Sequence, residues 1–274
     1  MKENYRNMWE EALANPALRG IKSTEKKYFN RIEITKNYFP ESDSSCYTFS
    51  VRNELFGDDR LKEKLIEELC RILNGFMQKY RIDKNSPILV AGLGNEHITA
   101  DSLGGAVIDK LYVTSHLYSE KSVFERFGNL SGIKCGVSGT TGIASFDILS
   151  GVAERIRPSL IIAVDALACS SVRRLGKTIQ ISDAGIEPGG GVANPKPKLD
   201  RNSLGVPVIA VGVPLVVYAK KILAEYLSDN AAAVNADEIL SSLVVTAKEI
   251  DFQVADFSYV IAESLNRTVH GGRS

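Results

Sequence analysis

Ile88-Leu-Val-Ala91, entered by Pro87 and closed by Gly92-Leu-Gly94-Asn95, is the stretch that decides the fold. Four consecutive apolar residues between a proline and a glycine turn read as a strand buried on both faces, since a strand with one solvated face would alternate. Leu160-Ile-Ile-Ala-Val164 repeats the pattern and ends at Asp165. Helical patterns lie between the two. One helix is expected over about 102–111, with Asp101 near its N-terminus, and another over 146–156, stopped by Pro158. Leu111 to Thr114 is a candidate strand, as are Thr178-Ile-Gln-Ile-Ser182 and Val206 to Val211, the last followed by a helix near 215–227. Strands alternating with helices predict an α/β fold with a mostly parallel sheet flanked by helices on both faces.

Outward from this block the signals weaken. Between Asp58 and Tyr80, apolar residues recur at 61, 65, 66, 69, 72, 73, 76, 77 and 80, which is helical spacing. Thr246-Ala-Lys-Glu249 fits a capping box. Ile250, Val254, Phe257, Val260, Ile261 and Leu265 then form the stripe of a last helix. Residues 1–45 are polar and weakly periodic, with Lys26-Lys27, Pro40 and Glu41-Ser-Asp-Ser-Ser45. They are expected to be an extension or pro-segment, leaving 46–274 as a single α/β domain.

The chain has 274 residues, 44% of them hydrophobic and 24% charged, enough for a sizeable core. Lys+Arg and Asp+Glu both number 33, so charge balance points to neither nucleic acid nor membrane, and no direct nucleic-acid binding is expected. The most apolar stretch, Val206 to Ala219, is too short for a bilayer and is broken by Pro207, Gly212 and Pro214. With no apolar signal core after Met1, a cytoplasmic location is expected. Cys46, Cys70, Cys135 and Cys169 are scattered and fit free thiols in a reducing compartment.

In an open α/β sheet, ligands bind beyond the carboxyl ends of the strands. Asp101 follows the loop after the first apolar strand and Asp165 closes the second, so two carboxylates can meet at one sheet edge. Such a pair supports hydrolysis, one group activating water and the other protonating the leaving amine. Taken alone, Asp101 also fits a carboxylate that complements a helix dipole. Gly94 and Asn95, in the loop after the first strand, are candidate substrate-binding residues. So are Asp183, Gly189, Gly190 and Gly191 in the long loop Asp183-Ala-Gly-Ile-Glu-Pro-Gly-Gly-Gly191. Gly92-Leu-Gly94 fails as a dinucleotide motif because His97 occupies its sixth position, and G-x-x-x-x-G-K-[ST] and G-x-S-x-G are absent. His97, His116 and His270 have no ligand spacing, so no metal or other cofactor is expected.

Four segments together resemble the germination (spore) protease family. They are Gly92-Leu-Gly-Asn-Glu-His-Ile-Thr-Ala-Asp101-Ser-Leu-Gly104, Val164-Asp165-Ala-Leu-Ala168, Thr178-Ile-Gln-Ile-Ser-Asp-Ala-Gly-Ile-Glu-Pro-Gly-Gly-Gly-Val192 and Gly205-Val-Pro-Val-Ile-Ala-Val-Gly-Val-Pro214. The resemblance implies an aspartic-type endopeptidase that opens degradation of small acid-soluble spore proteins in the spore core. It places the catalytic aspartates at Asp101 and Asp165. It also implies a hydrogenase-maturation-endopeptidase-like fold, a homotetramer, and a zymogen shortened at its N-terminus. The chain departs from the family pattern at Ala100, where proline is usual, and at Cys169-Ser-Ser-Val-Arg173, which starts less basic. Residues 1–45 do not look like the family's pro-segment, and the chain is shorter than is usual. Two other readings stand beside this one: a metal-dependent hydrogenase-maturation-like peptidase, and a non-catalytic peptide-binding sporulation protein of the same fold.

Overall fold

The computed structural model describes residues 23–29, 31–51, 55, 57–169, 171–188, 197–226, 240 and 242–271. Among them, one sheet contains β1 (Ser23–Phe29), β2 (Ile32–Phe39), β3 (Ser44–Val51), β4 (Ile88–Leu93), β5 (Leu130–Gly136), β6 (Leu160–Ala168), β7 (Thr178–Ser182), β8 (Val208–Tyr218) and β9 (Val244–Thr246). The helices are α1 (Asp59–Lys79), α2 (Leu103–Ile108), α3 (Lys121–Arg126), α4 (Ser138–Thr141), α5 (Ser145–Ile156), α6 (Arg201–Leu204), α7 (Ala219–Tyr226) and α8 (Ile250–His270).

The strand order is β1-β2-β3-β7-β8-β6-β4-β5, with β9 paired to the end of β8. Pairings among β5, β4, β6 and β8 are parallel, whereas β1–β2, β2–β3, β3–β7, β7–β8 and β8–β9 are antiparallel. The α/β class holds, but the sheet is mixed, and antiparallel pairings outnumber parallel ones. The expectation of a mostly parallel sheet is corrected here. It rested on the apolar runs, which occur only in the parallel half.

Of the span 1–45, the described residues 23–29 and 31–45 are not an extension outside the core. The boundary at 45 falls inside β3, and β2 places Ile32, Ile34 and Phe39 in the core at 1%, 3% and 2% exposure. Ile32-Glu-Ile-Thr-Lys-Asn-Tyr-Phe39 interleaves apolar and polar residues, so its composition looks like a solvated segment while its alternation builds a strand.

Two apolar layers cover the sheet. On one face α1, α2 and α8 pack over Ile32, Phe49, Val90, Ile162 and Ile209. On the other, Leu149 and Ala153 of α5, with Ile186 and Leu199, cover Leu89, Ala91, Ile161 and Ala163. Helices therefore lie on both faces. The stripe of α1 buries as its spacing predicts, and Asp58 caps it by accepting the Leu61 N–H at 2.9 Å.

Three local expectations change. Leu215-Val-Val-Tyr218 continues β8, because Val216 pairs with Ala168 on one side and Thr246 on the other, and α7 starts only at Ala219. Thr246 lies in β9 and donates to the Leu215 carbonyl at 2.8 Å, so no capping box opens α8. Leu111–Thr114 carries no strand; β5 takes that place in the sheet. All four cysteines are free thiols. No helix of the described residues is long and apolar enough to cross a membrane.

Candidate active site

The β4 ladder with β6 ends at Gly92 opposite Val164, one residue short of Asp165. The chain then turns at Gly94, whose φ is +94°, a region that suits glycine. A Cβ there would sit 2.1 Å from the Asp101 carbonyl oxygen and 2.9 Å from its Oδ1, so the turn closes on Asp101 only without a side chain. The Asn95 N–H donates to Asp101 Oδ2 at 2.8 Å, and Asn95 Oδ1 accepts from the His97 N–H at 3.0 Å.

Asp101 ends a 3-10 turn, Thr99–Asp101, that leads into α2. Its position follows from Gly104, where a Cβ would lie 2.3 Å from the Leu93 oxygen and 2.7 Å from the Val164 oxygen. Gly92 is equally constrained from the other side, 2.5 Å from the Gly104 oxygen. These glycines let the helix backbone rest directly on the strand ends, and the turn carrying Asp101 packs against β6 and β8. Asp101 thus lies on the turn beyond the carboxyl end of β4, and Asp165 is the β6 residue next after the last one paired with β4.

Asp165 is 5% exposed, and its Oδ1 accepts the Ala166 N–H at 2.9 Å. By alternation it shares the face of Ala163 and Leu167. Its charge reaches Cys135, a buried thiol on β5: burial above all, and then the Asp165 carboxylate, push that thiol up to about 11. Cys135 is therefore held as the neutral thiol, which is unsuited to act as a nucleophile at neutral pH. Between the loops that follow β4 and β5 lies a pocket of about 170 Å³, bordered by Gly94, Asn95, His97, Lys134, Cys135 and Thr140.

Of the residues expected from sequence, Asp101, Gly94 and Asn95 are brought together, and Asp165 comes to the same edge. Asp183 is not. Its carboxylate has no exposed surface and accepts from the Ser45 N–H at 2.7 Å, Lys79 Nζ at 2.8 Å and the Tyr80 hydroxyl at 2.8 Å. Since β7 runs antiparallel to β8, Asp183 follows Ser182, opposite Ala210, toward the amino end of β8, away from Asp165 opposite Gly212. Asp183 is an anchor between β3, β7 and the end of α1, which corrects its expected role in substrate binding. The same burial, reinforced by the Asp183 charge, holds Tyr80 well above the ordinary tyrosine range. Gly189, Gly190 and Gly191 lie outside the described residues.

Lys134, Cys135 and Thr140 were missed because β5 was missed. Leu130-Ser-Gly-Ile-Lys-Cys-Gly136 has two glycines and no apolar run, and its apolar residues at 130, 133 and 135 keep no strand period, so little in the sequence marked it. Among the described residues, no cluster of three His, Cys, Asp or Glu side chains could hold a metal ion.

The germination protease family model matches residues 30–230. The chain is similar to a germination protease of Geobacillus sp. (strain WCH70), with 44% identity over 167 residues, 60% of this chain and 45% of that protein. It is 38% identical to a germination protease of Bacillus mycoides (strain KBAB4) over 195 residues, 70% of this chain and 53% of that protein. The match to a germination protease of Bacillus cereus (strain AH187) is 37% over 195 residues, covering the same shares of 70% and 53%. The chain spans about half the length of the curated relatives it matches. With the family model covering most of the sheet and both aspartates, the chain belongs to the germination protease family.

Proposed function

We propose that the chain is an endopeptidase that opens the degradation of small acid-soluble spore proteins, using Asp101 and Asp165 as a carboxylate pair. The observation that carries this reading is the contact of Gly104 with Leu93 and Val164, which sets the turn ending in Asp101 against the strand that continues into Asp165. A water between the carboxyls would be activated by the ionised one, while the protonated one would donate to the leaving amine. Like charges at short range favour this division, since ionising both is costly. Gly94 and Asn95 line the adjoining pocket, and we assign them to the substrate backbone. The wider family expectations belong to the same proposal: a fold akin to hydrogenase-maturation endopeptidases, a homotetramer, action in the spore core, and N-terminal processing. Because β1–β3 are part of the sheet, we place any such processing before Ser23.

Incubation with a purified small acid-soluble spore protein, with the cuts mapped by mass spectrometry, tests the activity. Asp101→Asn and Asp165→Asn should each lower cleavage about 10²–10⁴-fold with melting temperature little changed. The double variant should be little worse than either single one, because the two groups act as a unit. A stable, fully active single variant removes that aspartate from the mechanism. Loss of cleavage in a chelator, restored by zinc or nickel, would favour metal-dependent chemistry. Binding without any cut would favour a peptide-binding protein.

A further inference from the structure

Lys134 on β5 stands opposite Gly92 in the ladder with β4. Gly92 faces Gly104 and Ile108 of α2, so by alternation the Lys134 side chain leaves the sheet on the face that α2 covers. Its Nζ lies 2.9 Å from Glu96 Oε2 and 2.9 Å from Asp109 Oδ1. Glu96 belongs to the loop between β4 and Asp101, and Asp109 is the residue that ends α2. One ammonium thus joins the segment before α2 to the segment after it. The link passes over Gly105, where a Cβ would come 3.5 Å from Glu96 Oε2 and 3.8 Å from Lys134 Cδ.

The link matters for the site because Glu96 directly follows Asn95, whose N–H donates to Asp101 Oδ2 at 2.8 Å. Helix α2 has six residues and no side-chain bond at its N-cap, and a helix that short does not hold itself together. Its underside is fixed by Gly104 on the strand ends. Across its other side runs the bridge from Glu96 through Lys134 to Asp109. We propose that Lys134 is a positioning residue for Asp101: by holding Glu96 it keeps the Asn95 amide on the carboxylate and the carboxylate at the sheet edge. As a statement about catalysis this rests on the reading of Asp101 as one of the reacting pair. As a statement about the loop it stands on the geometry alone.

The test uses the full chain with K134M and K134R. Amide exchange at Asn95, followed by NMR, reads the loop directly, and kcat and KM on a purified small acid-soluble spore protein read the chemistry. K134M should speed Asn95 exchange about three- to tenfold relative to core amides of β6, as expected for the loss of two exposed ion pairs. It should lower kcat/KM by a similar factor, because both the Asp101 carboxylate and Asn95, assigned to the substrate backbone, lose their alignment. K134R, which can span the same two carboxylates, should restore both. Unchanged Asn95 protection in K134M overturns the proposal, as does an increase in exchange shared equally by β6, or failure of arginine to rescue. Should K134M not fold, E96Q cuts the same link and is read in the same way. A wild-type chain that cuts nothing would sink the protease reading, and the exchange measurement would still decide the role of Lys134.

Discussion

The sheet has two halves that bury themselves by different means. In the parallel half, β4, β6 and β8 are apolar on both faces, and each face meets a helical layer. In the antiparallel half one face is apolar, with Ile32, Ile34, Phe49, Ile179 and Ile181 toward α1 and α8, while the other mixes the apolar Phe39 and Cys46 with polar residues. The opposite face carries Thr35, Asn37, Thr48, Gln180 and Ser182, all buried at 6% exposure or less. Among those groups, Gln180 Nε2 donates to Thr48 Oγ1 at 3.4 Å and Ser182 Oγ accepts the Ala184 N–H at 3.1 Å. The parallel half is held by area removed from water, the antiparallel half by apolar area on one side and a mixed apolar and polar layer on the other. The candidate site sits on the first half and the Asp183 anchor on the second. The rigid double-sided layer supports the aspartates, while Asp183 ties the added strands to the end of α1.

The largest expected effect comes from deleting residues 1–45. The deletion removes β1, β2 and the first two residues of β3 and uncovers the edge of β3 that β2 covers, so cooperative thermal unfolding should disappear. A truncated chain that still melts cooperatively within a few degrees of the full one would return these residues to the status of an extension. Next, Ile162→Ala in β6 should cost about 2–5 kcal/mol in denaturant unfolding, the range for a fully buried aliphatic side chain. Gln180→Ala in β7 should cost about 1–3 kcal/mol, set by polar groups losing a partner. Equal costs, or a larger cost at Gln180, would break the distinction between the halves.

Asp183→Asn comes third. It keeps the volume but weakens the bonds to Lys79 and Tyr80, and should cost about 1–2 kcal/mol while the cleavage rate per folded molecule stays unchanged. A fall in rate without a fall in stability would restore Asp183 to substrate binding.

The smallest effect concerns the seam between α8 and the parallel half. His270 Nδ1 accepts the Gly128 N–H at 3.2 Å, and Nε2 faces the Tyr112 carbonyl at 2.9 Å. These partners define a neutral ring. Burial lowers its pKa from 6.5, with the Tyr112 carbonyl opposing the shift. The unfolded chain therefore binds the proton more readily, so stability rises with pH in this window. The contribution is present above about pH 6.5 and is lost as pH falls through the lower folded value. His270→Gln should flatten the melting temperature between pH 7 and 5 by about 1–2 °C relative to wild type. An identical pH slope in the variant would show that other groups carry the acid sensitivity.

How legible the molecule was in its sequence follows the same division. Ile88–Ala91 and Leu160–Val164 were readable because both their faces are buried in apolar layers, which leaves an uninterrupted run. The stripe of α1 was readable because 3.6-residue spacing shows on any one-sided helix. β2 and β3 interleave apolar residues with polar ones, and β5 interrupts its few apolar residues with glycine and polar residues, so composition masked all three. At the site, Asp101, Gly94 and Asn95 were marked by a glycine turn after a strand. Asp183 carried the same mark and had another role, because a loop after an antiparallel strand opens on the opposite edge.

By itself the sequence determined the α/β class, the two central strands, the flanking helices and the family, together with the positions of Asp101 and Asp165 within them. Those are local properties, carried by runs and spacings a few residues long. Only the tertiary structure decided strand direction, the membership of residues 23–45 in the sheet, the separation of Asp183 from the aspartates and the bridge from Lys134 to Glu96. Each of these depends on which distant segment lies alongside. Ser45 meets Asp183 across 138 positions and Lys134 meets Glu96 across 38. A polar residue has the same local pattern whether water or a buried partner awaits it, so its fate is settled only when the chain closes on itself.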